Sequence, residues 1–496
     1  MKSRLISSYA AQAYIGLIGI LLMPIYMRQM GVEAVGLIGF FLMMQAWLQL
    51  LDLGLTQTLS RDMSLLKVGA MSVPDIWQRL RTLEWMLASI SIVAVIVILA
   101  LKDWIVTDWL SIGSLAPDMV AISIVAMAVA AAFRFLLGIY RASLTGLGRQ
   151  VWVNAAATLF ATAKFVGVLP LLIYWSSAPA VFFVFQVVIG GLELLAFAWM
   201  LYRVLPANLA GVFPHPDVLR LMLPMAAAMG FSALIWSVVT QADKLILSKI
   251  LTLEDYGFYT LGVLVASGVL MLIPPLNQVL QPRLTMLLSS SRHDELRDLY
   301  QQATQLVAAV FFTIGGVMAI FAEPLLLVWT GDMVASRAAA PILFWYALAN
   351  ATIGLLLLPF LLQFAHGRLR LHVIGNILMV SLLLPLMIIG AVRYGGAGAG
   401  AALLAANMIF VIFWVPHVHK QFLPEIVWRW PLLDVGLIAI PVVVALMAIR
   451  QLIPDVENRA LMIALLGLAL VVALAVGFLS GSRTRRLLVG LGRIRS

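Results

Sequence analysis

Gly31-Val32-Glu33-Ala34-Val35-Gly36-Leu37-Ile38 recurs 221 positions later as Thr252-Leu253-Glu254-Asp255-Tyr256-Gly257-Phe258-Tyr259. Both copies read Glu-x-x-Gly followed by two large apolar residues, and each comes shortly after a long apolar stretch. A second pair, Gly148-Arg149 with Asn154 downstream and Gly367-Arg368 with Asn376 downstream, recurs at an offset of 219. Two matches at nearly one offset predict a chain that runs through the same plan twice.

Working outward from these loops, apolar stretches of spanning length fall at 9–27, 35–55, 83–101, 119–140, 153–174, 180–202, 221–241, 257–281, 302–329, 341–363, 373–392, 400–418, 432–449 and 459–479. That is about fourteen transmembrane helices. A soluble chain of 496 residues would make about three domains. Here 63% of residues are hydrophobic and 11% charged, against roughly 45–50% and about 25% in soluble domains, so the bilayer is the solvent. The fold class is an all-α polytopic membrane protein. The repeats divide it into an N-lobe over 1–210 with spans one to six and a C-lobe over 211–430 with spans seven to twelve. Spans thirteen and fourteen follow in 431–479, and a basic tail occupies 480–496. Six spans per repeat is an even number, so the two lobes are parallel repeats, a plan common to transporters that rock two halves about a midplane site.

The net charge of +10 is mainly a topology signal. With both termini cytoplasmic, 22 of the 32 Lys and Arg residues lie on the cytoplasmic side, 8 on the other, and 2 within spans. The cation excess therefore needs no nucleic-acid partner; the lipid bilayer is the partner it implies. Lys2 and Arg4 before the first apolar stretch imitate a signal peptide, but no small-x-small cleavage site follows, so the segment reads as a retained helix. The tail carries Arg483, Arg485, Arg486, Arg493 and Arg495 among apolar residues. It suits either an anionic lipid surface or a cluster that only fixes orientation.

Several classes of function are excluded or disfavoured. The chain has no cysteine, which removes disulfides, iron–sulfur clusters and thiolate zinc sites. No phosphate-binding glycine loop follows a strand, so no nucleotide hydrolysis is expected. Loops are short, the longest being about 27 residues at 56–82, which argues against membrane glycosyltransferases and ligases. Of the six histidines, His417 and His419 are spaced by two, off a common helix face, so no metal site is expected. No catalytic residues and no cofactor are expected.

The informative residues are the charges at depth, since a buried ionisable group in hydrocarbon costs about 2.5–3.5 kcal/mol and so faces a partner or a water-filled cavity. At about 1.5 Å per residue, Arg134 in span four lies roughly 9 Å from the cytoplasmic edge, Glu193 in span six roughly 14 Å, and Lys164 in span five roughly 17 Å. Two readings stand side by side. Arg134 and Lys164 form a cationic floor for an anionic headgroup, or Glu193 neutralises one of them in a buried pair. Gln45, Gln49 and Asp52 in span two are spaced by four and three, a polar stripe on one face. It lines an aqueous cavity or bonds to neighbouring helices. Gln241, Asp243 and Lys244 end span seven as a local pair or a coupling site. Prolines 24, 170, 224, 274, 275, 359 and 385 predict kinked spans with freed carbonyls.

Asp52-Leu-Gly54-Leu-Thr-Gln-Thr-Leu-Ser-Arg61, Tyr140-Arg141, Gly146-Leu-Gly148-Arg149-Gln-Val-Trp-Val-Asn154 and Thr240-Gln-Ala-Asp243-Lys244-Leu-Ile-Leu-Ser248 follow one another in order. Gln281-Pro282-Arg283-Leu-Thr285, Phe321-Ala-Glu-Pro324 and Trp329-Thr-Gly-Asp332 complete the series. Together they resemble the polysaccharide-transporter branch, the Wzx-type flippases, of the multidrug/oligosaccharidyl-lipid/polysaccharide (MOP) exporter superfamily, from residue 1 to about 430. The resemblance implies two six-helix bundles around a cation-lined cavity in the bacterial inner membrane. That cavity would translocate an undecaprenyl-diphosphate-linked oligosaccharide, a repeat unit of O-antigen, capsule or exopolysaccharide, by alternating access with antiport of H⁺ or Na⁺. Arg134 and Lys164 match the family's diphosphate-binding cations by type and place, with Arg28 and Arg141 at the rims. A polysaccharide polymerase and chain-length machinery are the implied partners. Fourteen spans, where many relatives have twelve, also fit the lipid II flippase branch, and a cation-coupled drug antiporter shares the superfamily.

Overall fold

The computed structural model describes residues 2–206, 216–453 and 458–485; the end of the basic tail, 486–496, lies outside the described residues. Helix dominates throughout, and the β structure among the described residues is one isolated bridge, Ser111 with Thr252. Contacts divide the chain into two compact units, Met1–Gly257 and Phe258–Ser496. The division falls after Gly257 rather than near residue 210, so the seventh long helix goes with the first unit.

The first unit contains α1 (Lys2–Met30), α2 (Val32–Leu50), α3 (Leu55–Lys67), α4 (Val73–Trp104), α5 (Pro117–Gly146), α6 (Gln150–Phe165), α7 (Leu169–Tyr174), α8 (Pro179–Val204) and α9 (Pro216–Ile250), and α10 (Leu253–Ala266) begins in it. Its centre is α5, which packs against α8, α4, α3 and α2. Alanines 126, 128, 130, 131 and 132 are buried along α5. Small side chains let helix backbones approach closely where lipid supplies no hydrophobic driving force. On α8, Gly190 and Gly191 leave room for the Phe133 ring, which a Cβ at Gly191 would meet at 3.3 Å. A core of Leu59, Leu83, Phe135, Leu144, Phe197 and Leu201 closes one end of this unit.

The two Glu-x-x-Gly copies pack on each other. A Cβ on Gly36 would meet the Leu253 carbonyl oxygen at 2.4 Å, and a Cβ on Gly257 would meet the Val32 carbonyl oxygen at 2.3 Å. In each case the glycine of one copy receives the carbonyl four residues before the glycine of the other, so the contact is reciprocal. Beside it, Glu33 accepts hydrogen bonds from the Ser114 amide and hydroxyl at 2.6 Å each and from the Leu115 amide at 3.3 Å. The Leu253 amide donates to the Ser111 carbonyl at 2.9 Å. Repetition in sequence has here become self-complementary packing.

The second unit contains the rest of α10, then α11 (Ile273–Ser289), α12 (His293–Ile320), α13 (Ala322–Thr330), α14 (Met333–Ala365), α15 (Leu369–Ile409), α16 (Val415–Phe422), α17 (Leu437–Leu452) and α18 (Arg459–Ser480). Twelve helices among the described residues are long and apolar enough to cross a membrane. Two adjustments connect this with fourteen spans. The 35-residue α9 contains the apolar stretch 221–241. The 41-residue α15 is broken at Gly395, with φ 59 and ψ −141. A Cβ on Gly390 would meet the Gly398 carbonyl oxygen at 2.4 Å. In a continuous helix those residues stand about 12 Å apart along the axis. The chain therefore doubles back at Gly395, and 373–392 and 400–418 are two spans.

In this unit α12 is central, packing against α14, α17 and α18. The appended pair α17 and α18 is bolted to it by a polar network. Asp434 accepts from Gln305 at 2.7 Å and from Gln301 at 3.1 Å. Arg483, just past α18, donates its amide to Gln305 at 2.9 Å and its guanidinium to Asp298 at 2.9 Å and to Gln301. The beginning of the basic tail is thus a protein contact.

The repeat extends to helix ends. After α5 the Gly148 amide bonds to Thr145 and the Arg149 amide to Leu144; after α14 the Gly367 amide bonds to Phe364 and the Arg368 amide to Gln363. Both are Schellman caps with glycine in the left-handed conformation, φ 78 and 67. A third pair was not evident in the sequence. Gly69 (φ 76) and Ser291 (φ 54) occupy the same cap after α3 and α11, 222 positions apart. An L-residue in this conformation is strained by about 1–2 kcal/mol, partly offset by the greater freedom of glycine in the unfolded chain. Ser291→Gly is therefore expected to stabilise by about 0.5–1 kcal/mol, read as a higher midpoint of thermal unfolding in detergent; an unchanged or lower midpoint refutes it.

Candidate functional site

The site in the first unit is organised by a helix break. The 16-residue α6 ends at Phe165, and after the turn 166–168 the short α7 continues it. Pro170 lacks an amide to donate, and a Cβ at Gly167 would meet the Ala163 carbonyl oxygen at 2.3 Å, so this tight bend favours glycine. Carbonyls at the break are taken up by side chains from other helices. Tyr26 of α1 donates to the Phe165 carbonyl, and Gln186 of α8 donates to the Lys164 carbonyl at 3.2 Å.

This fixes Lys164 at the end of α6 facing α8. Its ammonium donates to Glu193 at 2.5 Å, with the two side chains only 15% and 8% accessible. Lys164 is therefore held in a buried ion pair, the second of the two readings above. Glu193 also stands in the electrostatic field of Arg134 on α5. Two cations thus share one anion, and the cluster is net positive.

Arg134 differs from Lys164 in its surroundings. It makes no hydrogen bond or ion pair among the described residues and is exposed. A charged guanidinium in mid-helix is strongly disfavoured against hydrocarbon and calls for water or a polar partner. Arg141 lies seven residues on, on the same helix face, half-buried and within electrostatic reach of Arg134. Arg28 is exposed in the last turn of α1.

The polar stripe of α2 is shorter than its spacing suggests. Gln45 is half-buried and Gln49 exposed on α2, which packs against α5. Asp52 lies beyond the end of α2, in the turn 51–54. Its carboxylate accepts from the Thr56 amide at 3.1 Å and hydroxyl at 2.8 Å, tying down the start of α3. Asp52 is thus a turn residue, because Leu53 and Gly54 take positive φ of 49 and 81 and end the helix before it. On α9, Lys244 donates to Asp243 at 3.2 Å and to the Thr240 carbonyl at 2.7 Å, and Gln241 is half-buried nearby. The structure brings Arg134, Arg141, Lys164 and Glu193 together; Asp243 and Lys244 form a separate local pair.

A second polar stripe escaped the reading of the sequence. Gln150, Asn154, Thr158 and Thr162 recur at intervals of four along α6, all half-buried. Gln150 donates to Asn154 at 3.0 Å, and Tyr14 of α1 meets Thr162 at 2.9 Å. The spacing of four was the available signal. Among the described residues no three His, Asp, Glu or Cys side chains cluster to hold a metal ion. What the first unit offers chemically is an accessible guanidinium on α5, the Lys164–Glu193 pair within its electrostatic reach, and, separately, a stripe of hydroxyls and amides along α6. A guanidinium suits an anionic group, and hydroxyls and amides suit a hydroxyl-bearing one.

Comparison with known proteins agrees in fold and family. No curated protein matches this chain in sequence. The lipid II flippase MurJ in an inward closed conformation superposes with a TM-score of 0.69 at 15% identity, over 95% of this chain and 98% of its own. A multidrug resistance MATE family transporter of the MOP superfamily, in an inward-facing conformation, superposes with a TM-score of 0.68 at 13% identity, over 82% of this chain and 94% of its own. A MOP superfamily transporter from Pyrococcus furiosus, described by the reverse polarity of its binding pocket, gives 0.56 at 14% identity, over 85% and 95%. The family model described as polysaccharide biosynthesis protein matches residues 3–288, more than half of the chain. The chain has the all-helical fold of the MOP transporters and belongs to the polysaccharide biosynthesis protein family.

Proposed function

We propose that this chain is a flippase that carries an undecaprenyl-diphosphate-linked oligosaccharide across the bacterial inner membrane by alternating access, with both termini cytoplasmic. Arg134 is the observation that carries the proposal. It is an accessible guanidinium without a hydrogen-bonding partner among the described residues, in the middle of a spanning helix. Guanidinium matches the geometry of diphosphate oxygens. The polar stripe of α6 provides hydroxyl and amide groups suited to sugar. Lys164 acts through Glu193, keeping that carboxylate from cancelling the charge of Arg134. Glu193 is then the carboxylate through which an H⁺ or Na⁺ gradient acts, and the chain is a transporter rather than an enzyme. The product would pass to a polysaccharide polymerase with its chain-length partners.

Removing the gene is expected to leave lipid-linked oligosaccharide on the cytoplasmic face and to abolish surface glycan. Unchanged surface glycan in a strain with no second flippase overturns the proposal. A lipid II flippase is the second reading. Its support is that MurJ matches 95% of this chain, a span that cannot leave out both α17 and α18, whereas the MATE transporter matches 82%. Proteoliposomes loaded with either lipid, under imposed H⁺ or Na⁺ gradients, separate the two. A cation-coupled drug antiporter fits less well, since the buried cluster is net positive and would repel organic cations.

A further inference from the structure

At the end of the first unit away from the Arg149 end of α5, a groove of about 510 Å³ is lined by residues of α4, α5 and α8. None of its lining residues belongs to the cluster of Arg134, Arg141, Lys164 and Glu193. Its walls are apolar, with Val129 from α5 and Val184 from α8 over a small floor residue, Ala126. Its mouth is charged, with Lys102 and Asp103 from the end of α4 and Asp118 from the first turn of α5. None of these three side chains makes a hydrogen bond or ion pair among the described residues. From Asp118 to Val129 the groove follows α5 for about 16 Å. That is about half of a 30 Å hydrocarbon core, the depth of one leaflet.

We propose that this groove is a binding site for one phospholipid with a zwitterionic, primary-ammonium headgroup, that is, of the phosphatidylethanolamine class. An acyl chain lies along Ala126 and Val129. The phosphate pairs with Lys102, and the ammonium donates hydrogen bonds to Asp103 and Asp118. Charge decides between headgroups. One cation beside two anions disfavours phosphatidylglycerol, whose phosphate gains Lys102 but faces two carboxylates. Phosphatidylcholine carries the right charges but no N–H, so both carboxylates are left without a donor. The volume lies within the roughly 300–1,000 Å³ of ordinary ligand sites.

The test uses the full chain purified in mild detergent and incubated with phosphatidylethanolamine, phosphatidylcholine and phosphatidylglycerol of identical acyl chains, with retained lipid counted by native mass spectrometry. One phosphatidylethanolamine should be retained at least fivefold over each of the others. Asp103→Asn/Asp118→Asn, which changes only accessible side chains, should erase that preference and raise phosphatidylglycerol retention. Ala126→Trp should lose the bound lipid altogether. Equal retention of the three lipids by the native protein, or a preference unaltered in the double asparagine variant, overturns the site. Because the readout is lipid retention, it succeeds or fails separately from any transport assay.

Discussion

Lys164→Met is expected to destabilise the protein by about 3–5 kcal/mol, the range for breaking a buried ion pair from one side. The reason is the carboxylate left behind. Glu193 is 8% accessible, and its hydrogen-bonding partner in the structure is the Lys164 ammonium. Without it, an uncompensated charge is left in a low-dielectric interior, which is what makes removing one partner of a buried pair costly. The double variant Lys164→Met/Glu193→Gln removes both charges and keeps an amide in place of the carboxylate. It should recover most of the loss, because replacing both members of a buried pair is often close to neutral. Thermal unfolding in detergent, followed by the fluorescence of the 14 tryptophans, reads both. If the double variant is as unstable as the single one, the pair is not what holds α6 to α8.

How much of this was legible in the sequence depends on the range of the interaction. The spans were legible because composition alone sets them, down to the pair 373–392 and 400–418, which the reversal at Gly395 separates. The repeat was legible where both copies kept glycine, as at Gly36 and Gly257 or Gly148 and Gly367. It was hidden at Ser291, which occupies a left-handed cap that Gly69 fills elsewhere. Among the charges, depth along each helix placed Glu193 nearer to Lys164 than to Arg134. Depth says nothing about rotation, however, and it is the break after Phe165, held by Tyr26 and Gln186, that turns Lys164 toward α8. Asp52 was misplaced because two residues with positive φ end α2 before it, and neither the proximity of Gly54 nor a spacing of three reveals that. The division after Gly257 rather than near 210 rests on tertiary contacts such as Gly257 against Val32, which no local pattern encodes.

Arg134→Ala is expected to lower the rate of translocation roughly 10- to 150-fold, the equivalent of the 1.5–3 kcal/mol that a hydrogen bond to a charged group contributes, with the protein still folded and inserted. The separation of function from stability follows from the geometry. Arg134 makes no hydrogen bond among the described residues and retains accessible surface, so its removal leaves no polar group stranded, while Glu193 keeps Lys164 at 2.5 Å. Its removal gives up an attraction to Glu193 and relieves a repulsion with Arg141 on the same face, two opposing effects that leave stability little changed. Arg134→Lys restores the charge without the bidentate fork and should recover only part of the rate. Proteoliposome flipping of an undecaprenyl-diphosphate oligosaccharide measures the rates, and the unfolding midpoint of the same preparations measures the fold. Full transport by Arg134→Ala would move the headgroup site away from α5 altogether. Lost transport accompanied by a markedly lowered unfolding midpoint would make Arg134 a structural residue, because a guanidinium that serves only the cargo should leave the stability of the empty protein close to unchanged.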